Sequence, residues 1–257
     1  MPEIAGSKAL IIGGTHGIGL ATAQLLVSKG SFIIATGRNP SNISSAQSIL
    51  GPKALVHEFD ITSLDAISTL PSKVNSHFGI DTLLDLVFIN AGYAALEPFL
   101  TVTEASFHRT MSTNLFGPFF TAQTLIPLIK PHGSIIFTTS ISNRRGIPGM
   151  SVYSASKAAI HSLVQTLAAE LAPKQIRVNA VSPGYVKTPT MGVVGVPREE
   201  LDKFEELGKK ETPLGRIGEA EEVASAVVWL GFKAGFSTGS EVVVDGGLRD
   251  LDKGVDH

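Results

Sequence analysis

The chain has 257 residues, of which 43% are hydrophobic, 17% charged and 7% aromatic. That composition excludes a disordered chain, and the length is enough to bury a core in a single α/β domain. A net charge of −2, from 21 basic and 23 acidic side chains, offers no broad basic face for nucleic acid, and the absence of cysteine excludes disulfides, thiolate metal sites and Cys nucleophiles.

No apolar run approaches the roughly 20 residues of a membrane span. The opening residues, MPEIAGSKALIIGG, show no secretory leader, and the closing RDLDKGVDH shows no recognisable address. A cytoplasmic location is expected, with no membrane, nucleic-acid or metal partner.

Short apolar runs alternate with helix-length amphipathic stretches along the whole chain. Strands are predicted at Ala9–Ile12, Phe32–Thr36, Leu55–Phe59, Leu84–Ile89, Ser134–Thr139, Arg177–Val181 and Glu241–Val244. Helices are predicted at Ile18–Lys29, Leu64–His77, Glu104–Leu128, Ser151–Leu171 and Ala220–Leu230, with Pro118 and Pro127 kinking or shortening the third. Near-continuous Ile, Val, Leu and Phe in several strands fits parallel strands covered on both faces. The alternation implies an α/β fold: a Rossmann-type doubly wound parallel sheet of about seven strands, with helices on both faces in a three-layer αβα sandwich.

The 26 Gly and 14 Pro fall mostly at strand–helix junctions, which reads as sharp turns rather than looseness. One domain over residues 1–257 is expected, because no interior linker appears. The rhythm breaks between Pro189 and Pro213, where a flexible apolar half precedes a charged helical half, Arg198–Lys210. An insertion there, after a strand's C-terminal end, is a candidate lid over a ligand.

The first strand runs into Gly13-Gly14-Thr15-His16-Gly17-Ile18-Gly19 and then a helix. Glycines at 13, 17 and 19 permit a tight turn and close approach of a diphosphate to the backbone. The helix adds free N–H groups and the positive end of its dipole. Thr15, His16 and Ile18 lie in the same loop. The spacing departs from the usual G-x-G-x-x-G.

The second strand ends at Gly37-Arg38, with no acid there to take a ribose 2′-OH. An Arg can instead pair with a 2′-phosphate, which points to NADP(H). Asp60 and Ile61 end the third strand. The Asp60 carboxylate could accept from an adenine amino group, or it could cap the helix that starts near Ser63. Asn90-Ala91-Gly92 ends the fourth strand with residues small enough to pass beside a flat ligand.

Tyr153-Ser154-Ala155-Ser156-Lys157 opens a helical stretch, and i,i+4 spacing puts Tyr153 and Lys157 on one face. A nearby ammonium favours phenolate, which would make Tyr153 a usable general acid or base near neutral pH. The preceding strand ends in Thr138-Thr139-Ser140-Ile141-Ser142, a cluster of hydroxyls. Ser140 could hold a substrate carbonyl, with Thr139 or Ser142 in that role if the strand register differs by one or two.

Taken together, GGTHGIG, NAG, the Ser140–Tyr153–Lys157 set, SPGYVKT and VDGG stand in the same order as in the classical short-chain dehydrogenase/reductases, and the chain resembles that family over nearly its whole length. The resemblance implies that Tyr153 is the acid/base and that Lys157 binds the nicotinamide ribose and lowers the Tyr153 pKa. It gives Ser140 the substrate carbonyl and Asn114 a water-linked proton relay. It brings Pro183, Gly184, Val186 and Thr188 to the nicotinamide and suggests a homotetramer. Ile12 stands where the family usually has Thr before the glycine motif, and Ile89 where it usually has Asn before NAG; neither change removes a catalytic group.

The reading that results is an NADPH-dependent carbonyl reductase, or in reverse an alcohol dehydrogenase. Its pocket would be lined by Ala95, Leu96, Ile141, Ile147, Tyr185, Met191 and Val194, mostly apolar, which favours a hydrophobic or aromatic ketone. An alternative is a 3-oxoacyl-(acyl-carrier-protein) reductase, which needs a basic surface near Lys130, Arg144 and Arg145. A third is an NADP(H)-sensing or scaffold module, which would be expected to have lost the Tyr or the Lys.

Overall fold

The computed structural model describes residues 3–189 and 198–252. In chain order the elements are β1 (Lys8–Ile12), α1 (Gly17–Ser28), β2 (Phe32–Gly37), α2 (Pro40–Leu50), β3 (Ala54–Glu58), α3 (Leu64–Ser68), α4 (Leu70–Phe78) and β4 (Leu84–Ile89). There follow α5 (Glu104–Met111), α6 (Gly117–Leu125), β5 (Ile129–Thr138), α7 (Ser151–Leu171), β6 (Arg177–Pro183), β7 (Val186–Lys187), α8 (Arg198–Glu211), β8 (Gly218–Glu219), α9 (Ala220–Phe232) and β9 (Glu241–Val244).

The central sheet has seven parallel strands in the order β3-β2-β1-β4-β5-β6-β9, and the two-residue β7 and β8 pair separately. The doubly wound Rossmann-type fold is therefore as the sequence predicts. Period-two alternation builds its two faces. In β1, Ala9 and Ile11 join the cluster that includes α1, α2 and α9. Leu10 and Ile12 join the opposite cluster with α4, α6 and α7. All six residues of β4 are buried, as a strand covered on both faces requires. Each fully buried Ile, Leu or Phe contributes about 1.5–3 kcal/mol by leaving water.

Three local departures from the sequence reading have physical causes. Helix α2 is additional: its residues PSNISSAQSIL are polar and weakly periodic, yet Asn39 caps it by accepting from the Asn42 N–H at 3.0 Å and Pro40 opens it. The stretch expected as Leu64–His77 divides at Thr69, just before Pro71, which has no N–H for the preceding turn. The expected kink in Glu104–Leu128 takes the form of a π-helical stretch, Ser112–Phe116, ahead of Pro118, and a 3₁₀ turn at Ile126–Leu128 around Pro127.

The chain leaves β1 toward β2 and β3 and then crosses back to β4, so the strand order reverses between β1 and β4. A crevice opens outside the C-terminal ends of strands at such a point. The glycine loop after β1 and Asn90-Ala91-Gly92 after β4 meet there, with the amides of Asn90 and Ala91 both donating to the Ile12 carbonyl, at 2.9 and 3.0 Å.

Candidate active site

A cleft of about 330 Å³ lies over that crevice. From the glycine loop, Gly13, Thr15, His16, Gly17 and Ile18 line it. Gly37 and Arg38 come from the end of β2, Ile61 from beyond β3, and Asn90, Ala91 and Gly92 from the end of β4. Ser140, Tyr153 and Lys157 face it from the other half of the sheet, and Pro183, Gly184, Val186 and Thr188 close it from beyond β6. The topology thus gathers into one groove most residues that the sequence had named at separate strand ends.

The loop must be glycine where the backbone folds onto itself. A Cβ on Gly19 would lie 2.0 Å from the Gly13 carbonyl oxygen, and Gly13 itself has φ +80°. On the far side, a Cβ on Gly17 would lie 3.1 Å from the Thr188 methyl, so the loop and the 183–188 segment face each other across the groove. These cradles leave backbone N–H groups and the start of α1 open to an anion, which fits a dinucleotide diphosphate.

Tyr153 and Lys157 project from the first turns of α7. Lys157 is 3% exposed, and its ammonium donates to the Thr138 carbonyl at 2.8 Å. Burial without a carboxylate partner lowers its pKa to about 8. Burial pushes the Tyr153 phenol up, and a hydrogen bond with the Ser140 side chain pulls it partly back. The lowering by Lys157 expected from the sequence is not the main influence on Tyr153 here. A phenol held protonated is suited to donating a proton to a carbonyl oxygen.

Among the three candidate hydroxyls, Ser140 is the one that offsets the rise in the Tyr153 pKa, and both line the cleft. Thr139 lines the cleft too, but its hydroxyl donates to Glu241 Oε1 at 2.6 Å. Ser142 Oγ is buried without a hydrogen-bond partner, while the Ser142 amide donates to Ser140 Oγ at 3.3 Å.

Asn114 is 1% exposed and lies behind the cleft wall. Its amide accepts from the Tyr93 N–H at 2.8 Å, donates to the Tyr93 carbonyl at 2.8 Å and donates to Ser156 Oγ at 3.0 Å. Its side chain is thus a fully used brace for the loop after Gly92. Its main-chain carbonyl has no N–H to receive at Pro118.

Other residues named from sequence lie elsewhere. Asp60 does not line the cleft: Oδ1 accepts from the Thr62 N–H at 2.9 Å and hydroxyl at 2.8 Å, closing a local turn, and Ser63 caps α3 instead. Ala95, Leu96, Ile141, Ile147 and Tyr185 also lie outside its lining. Leu96 is exposed and Ile141 buried. Tyr185 turns toward α8, meeting Phe204 edge to face with ring centroids 4.9 Å apart and lying against Gly208. Met191 and Val194 lie outside the described residues.

The cleft also takes residues the sequence reading did not name for it, among them Asn39, Asn42, Phe59, Tyr93 and Thr113. Asn39-Pro40, a helix-start signal, was available for the first two. Tyr93 and Thr113 carry no signal of their own, since they depend on how α5 and the loop after β4 pack.

Arg38 is exposed at the mouth of the cleft, and among the described residues no carboxylate pairs with it. His16 is exposed in the loop, and partial desolvation lowers its pKa from the ordinary value, which weakens it as a cation beside Arg38.

A family model described as "Enoyl-(Acyl carrier protein) reductase" matches residues 13–249. An oxidoreductase of Sarocladium schorii is 34% identical over 253 residues, covering 97% of this chain and 98% of its own. A 3-oxoacyl-[acyl-carrier-protein] reductase of Thermotoga maritima is 33% identical, covering 96% and 99%. A solved short-chain type dehydrogenase/reductase from Mycobacterium marinum superposes with a TM-score of 0.87 at 31% identity, covering 97% of this chain and 98% of that one.

Proposed function

The chain belongs to the classical short-chain dehydrogenase/reductase family, whose members are oxidoreductases acting on CH–OH and C=O groups with a nicotinamide cofactor, and from that premise we propose that it is an NADPH-dependent reductase of small hydrophobic ketones. The observation that carries the reading is that Ser140, Tyr153 and Lys157 line one cleft together, with the Lys157 ammonium anchored on the Thr138 carbonyl.

A dinucleotide would be held by the glycine loop, Arg38, Ile61, Asn90-Ala91-Gly92, Lys157 and the 183–188 segment, and when bound it supplies the hydride. Ser140 holds the carbonyl oxygen of the substrate. Tyr153 donates its proton to that oxygen as negative charge develops on it. Lys157, drawn into place by the Thr138 carbonyl, puts positive charge beside the resulting phenolate. In the direction of alcohol oxidation the same groups run in reverse, with Tyr153 as base.

Arg38 supports NADP(H) over NAD(H), because an unpaired guanidinium suits a 2′-phosphate and no acid ends β2. Asp60, committed to Thr62, is left out of this assignment. The lid reading of 189–213 falls partly on residues 190–197, which lie outside the described residues; its helical half, α8, is held to the body through Tyr185 and Phe204.

A 3-oxoacyl-(acyl-carrier-protein) reductase is the second reading, favoured by the Thermotoga maritima relative. The basic residues it would need are engaged internally: Lys130 pairs with Asp85, Arg145 pairs with Glu211 at 3.6 Å, and Arg144 bonds His161 at 3.0 Å. That weakens the pull on an acidic carrier. A sensing or scaffold role is disfavoured because Tyr153 and Lys157 are both retained.

A homotetramer is part of the proposal. It is supported by Phe107 on α5, Phe116 at the end of the π-helical stretch, Phe119 on α6 and Trp229 on α9, all exposed. Among the described residues no helix is long and apolar enough to cross a membrane, and a cytoplasmic location is proposed with it.

The test is NADPH oxidation across a panel of ketones and one acyl-carrier substrate. Turnover of a hydrophobic ketone, reduced about a thousandfold in Tyr153→Phe with NADPH affinity retained, is expected. Turnover confined to the acyl-carrier substrate selects the second reading. No turnover of any carbonyl with either nucleotide overturns both.

A further inference from the structure

Behind Ser140 lies a buried carboxylate that the proposed reaction leaves unused. Glu241 opens β9 with its side chain only 4% exposed. Its Oε1 accepts from the Thr139 hydroxyl at 2.6 Å and from Asn143 Nδ2 at 2.7 Å, and its Oε2 faces Arg249 Nη1 at 3.1 Å. Thr139 is the residue just before Ser140. Asn143 ends the 3₁₀ turn Ile141–Asn143, which Ser140 caps. One carboxylate therefore grips both ends of the turn that carries the Ser140 hydroxyl.

Two further side chains pack around the grip. Arg144 can only donate, so His161 Nε2 accepts from it at 3.0 Å and the His161 proton sits on Nδ1. Nδ1 lies 3.3 Å from Glu241 Oε1 without hydrogen-bond geometry, so His161 packs against the carboxylate rather than bonding it. Arg249 is held in turn by its own N–H, which donates to Asp245 Oδ2 at 2.7 Å. The chain after β9 thus reaches the Ser140 turn through Glu241.

A carboxylate is costly at this place. The rest of β9 is Val242, Val243 and Val244, and a fourth apolar residue would satisfy the strand without removing a charge from water. Charge-assisted hydrogen bonds are shorter and stronger than neutral ones, and their geometry is fixed. A hydroxyl that must meet a developing oxyanion gains from such fixing, because small displacements of the donor lower the rate steeply.

We propose that Glu241 is the positioning residue of Ser140, clamping the 139–143 turn so that the serine hydroxyl meets the substrate carbonyl; this rests on the reading of Ser140 as the group that holds that oxygen. The clamp acts on the carbonyl side of the cleft alone. The glycine loop and Arg38 lie at other strand ends.

The experiment compares Glu241→Val, Glu241→Gln, Thr139→Val, Asn143→Ala and Ser140→Ala in the full-length protein, on a ketone that the parent reduces. It reads kcat, the KM for NADPH and the Kd for NADPH from fluorescence. Glu241→Val is expected to lose at least tenfold in kcat, with the NADPH Kd and KM within twofold of the parent. Glu241→Gln keeps one amide oxygen to accept from both partners but turns its NH2 toward the Arg249 guanidinium, so it should recover only part of that loss. Thr139→Val and Asn143→Ala should each lose part of kcat, and they carry the test alone if Glu241→Val does not fold. The clamp is overturned by kcat within twofold of the parent in Glu241→Val or, if that does not fold, in both Thr139→Val and Asn143→Ala, or by NADPH affinity falling in step with kcat. An unaltered kcat in Ser140→Ala would instead overturn the reading of the serine itself, and the clamp with it.

Discussion

Asn90 and Thr138 join the two halves of the cleft, the Thr138 hydroxyl donating to Asn90 Oδ1 at 2.9 Å across the ends of β4 and β5. Each is bonded onward. Asn90 Nδ2 donates to the Gly13 carbonyl at 3.1 Å, and the Thr138 carbonyl receives the Lys157 ammonium at 2.8 Å. The glycine loop and the proposed catalytic helix are therefore linked through four residues. Asn90→Ala breaks two of these bonds in a partly buried place. It is expected to lower stability by about 2 kcal/mol in urea unfolding and to weaken NADPH binding. Unchanged values of both would show the link to be idle.

Lys157 gives NADPH binding a pH dependence with a definite sign. Burial lowers its pKa to about 8, so it is charged below that pH and neutral above. An anionic dinucleotide should bind more tightly below pH 8 and progressively less tightly as the pH rises through it. Stability runs the other way. The unfolded amine titrates near 10.4, so between about pH 8 and 10 the unfolded chain holds more protons, and stability rises with pH over that window. Lys157→Met should flatten both profiles, as read by fluorescence titration and by Tm against pH.

Arg38 should set the nucleotide preference. Arg38→Ala is expected to lower kcat/KM with NADPH about 30-fold, equivalent to about 2 kcal/mol of lost charge-assisted hydrogen bonding. The value with NADH should move by less than threefold. Equal losses with both nucleotides would assign Arg38 to the adenine or the fold rather than to the 2′-phosphate.

Asn114 should behave as a brace. Asn114→Ala strands the Tyr93 N–H and carbonyl in a buried place, and a loss of about 3 kcal/mol is expected in chemical unfolding. Asn114→Asp restores the acceptor but not the donor to Tyr93, and should recover only part of that loss. A fully stable Asn114→Ala protein would contradict this assignment.

The sequence by itself determined the seven strands of the sheet, most of its helices (α2 excepted) and the residues at the strand ends. These depend on periodicity and on local backbone chemistry, such as Gly13 at positive φ and Pro118 without an N–H. It also identified Ser140, Tyr153 and Lys157 through motif order. Tertiary structure decided what the neighbouring hydroxyl does: Thr139 turns to Glu241, while Ser140 lines the cleft with Tyr153. The same holds for Asp60, which closes a turn instead of lining the cleft, and for Tyr185, which turns to Phe204. Glu241 is the clearest case: alone it reads as a charge beginning a strand. Only the parallel pairing of β9 with β6 carries its carboxylate past Val181 to the end of β5, about a hundred residues earlier in the chain, where Thr139 and Asn143 await an acceptor. A pattern in the chain reports the backbone's own preferences, whereas a side chain's partner depends on distances that exist only once the sheet is assembled.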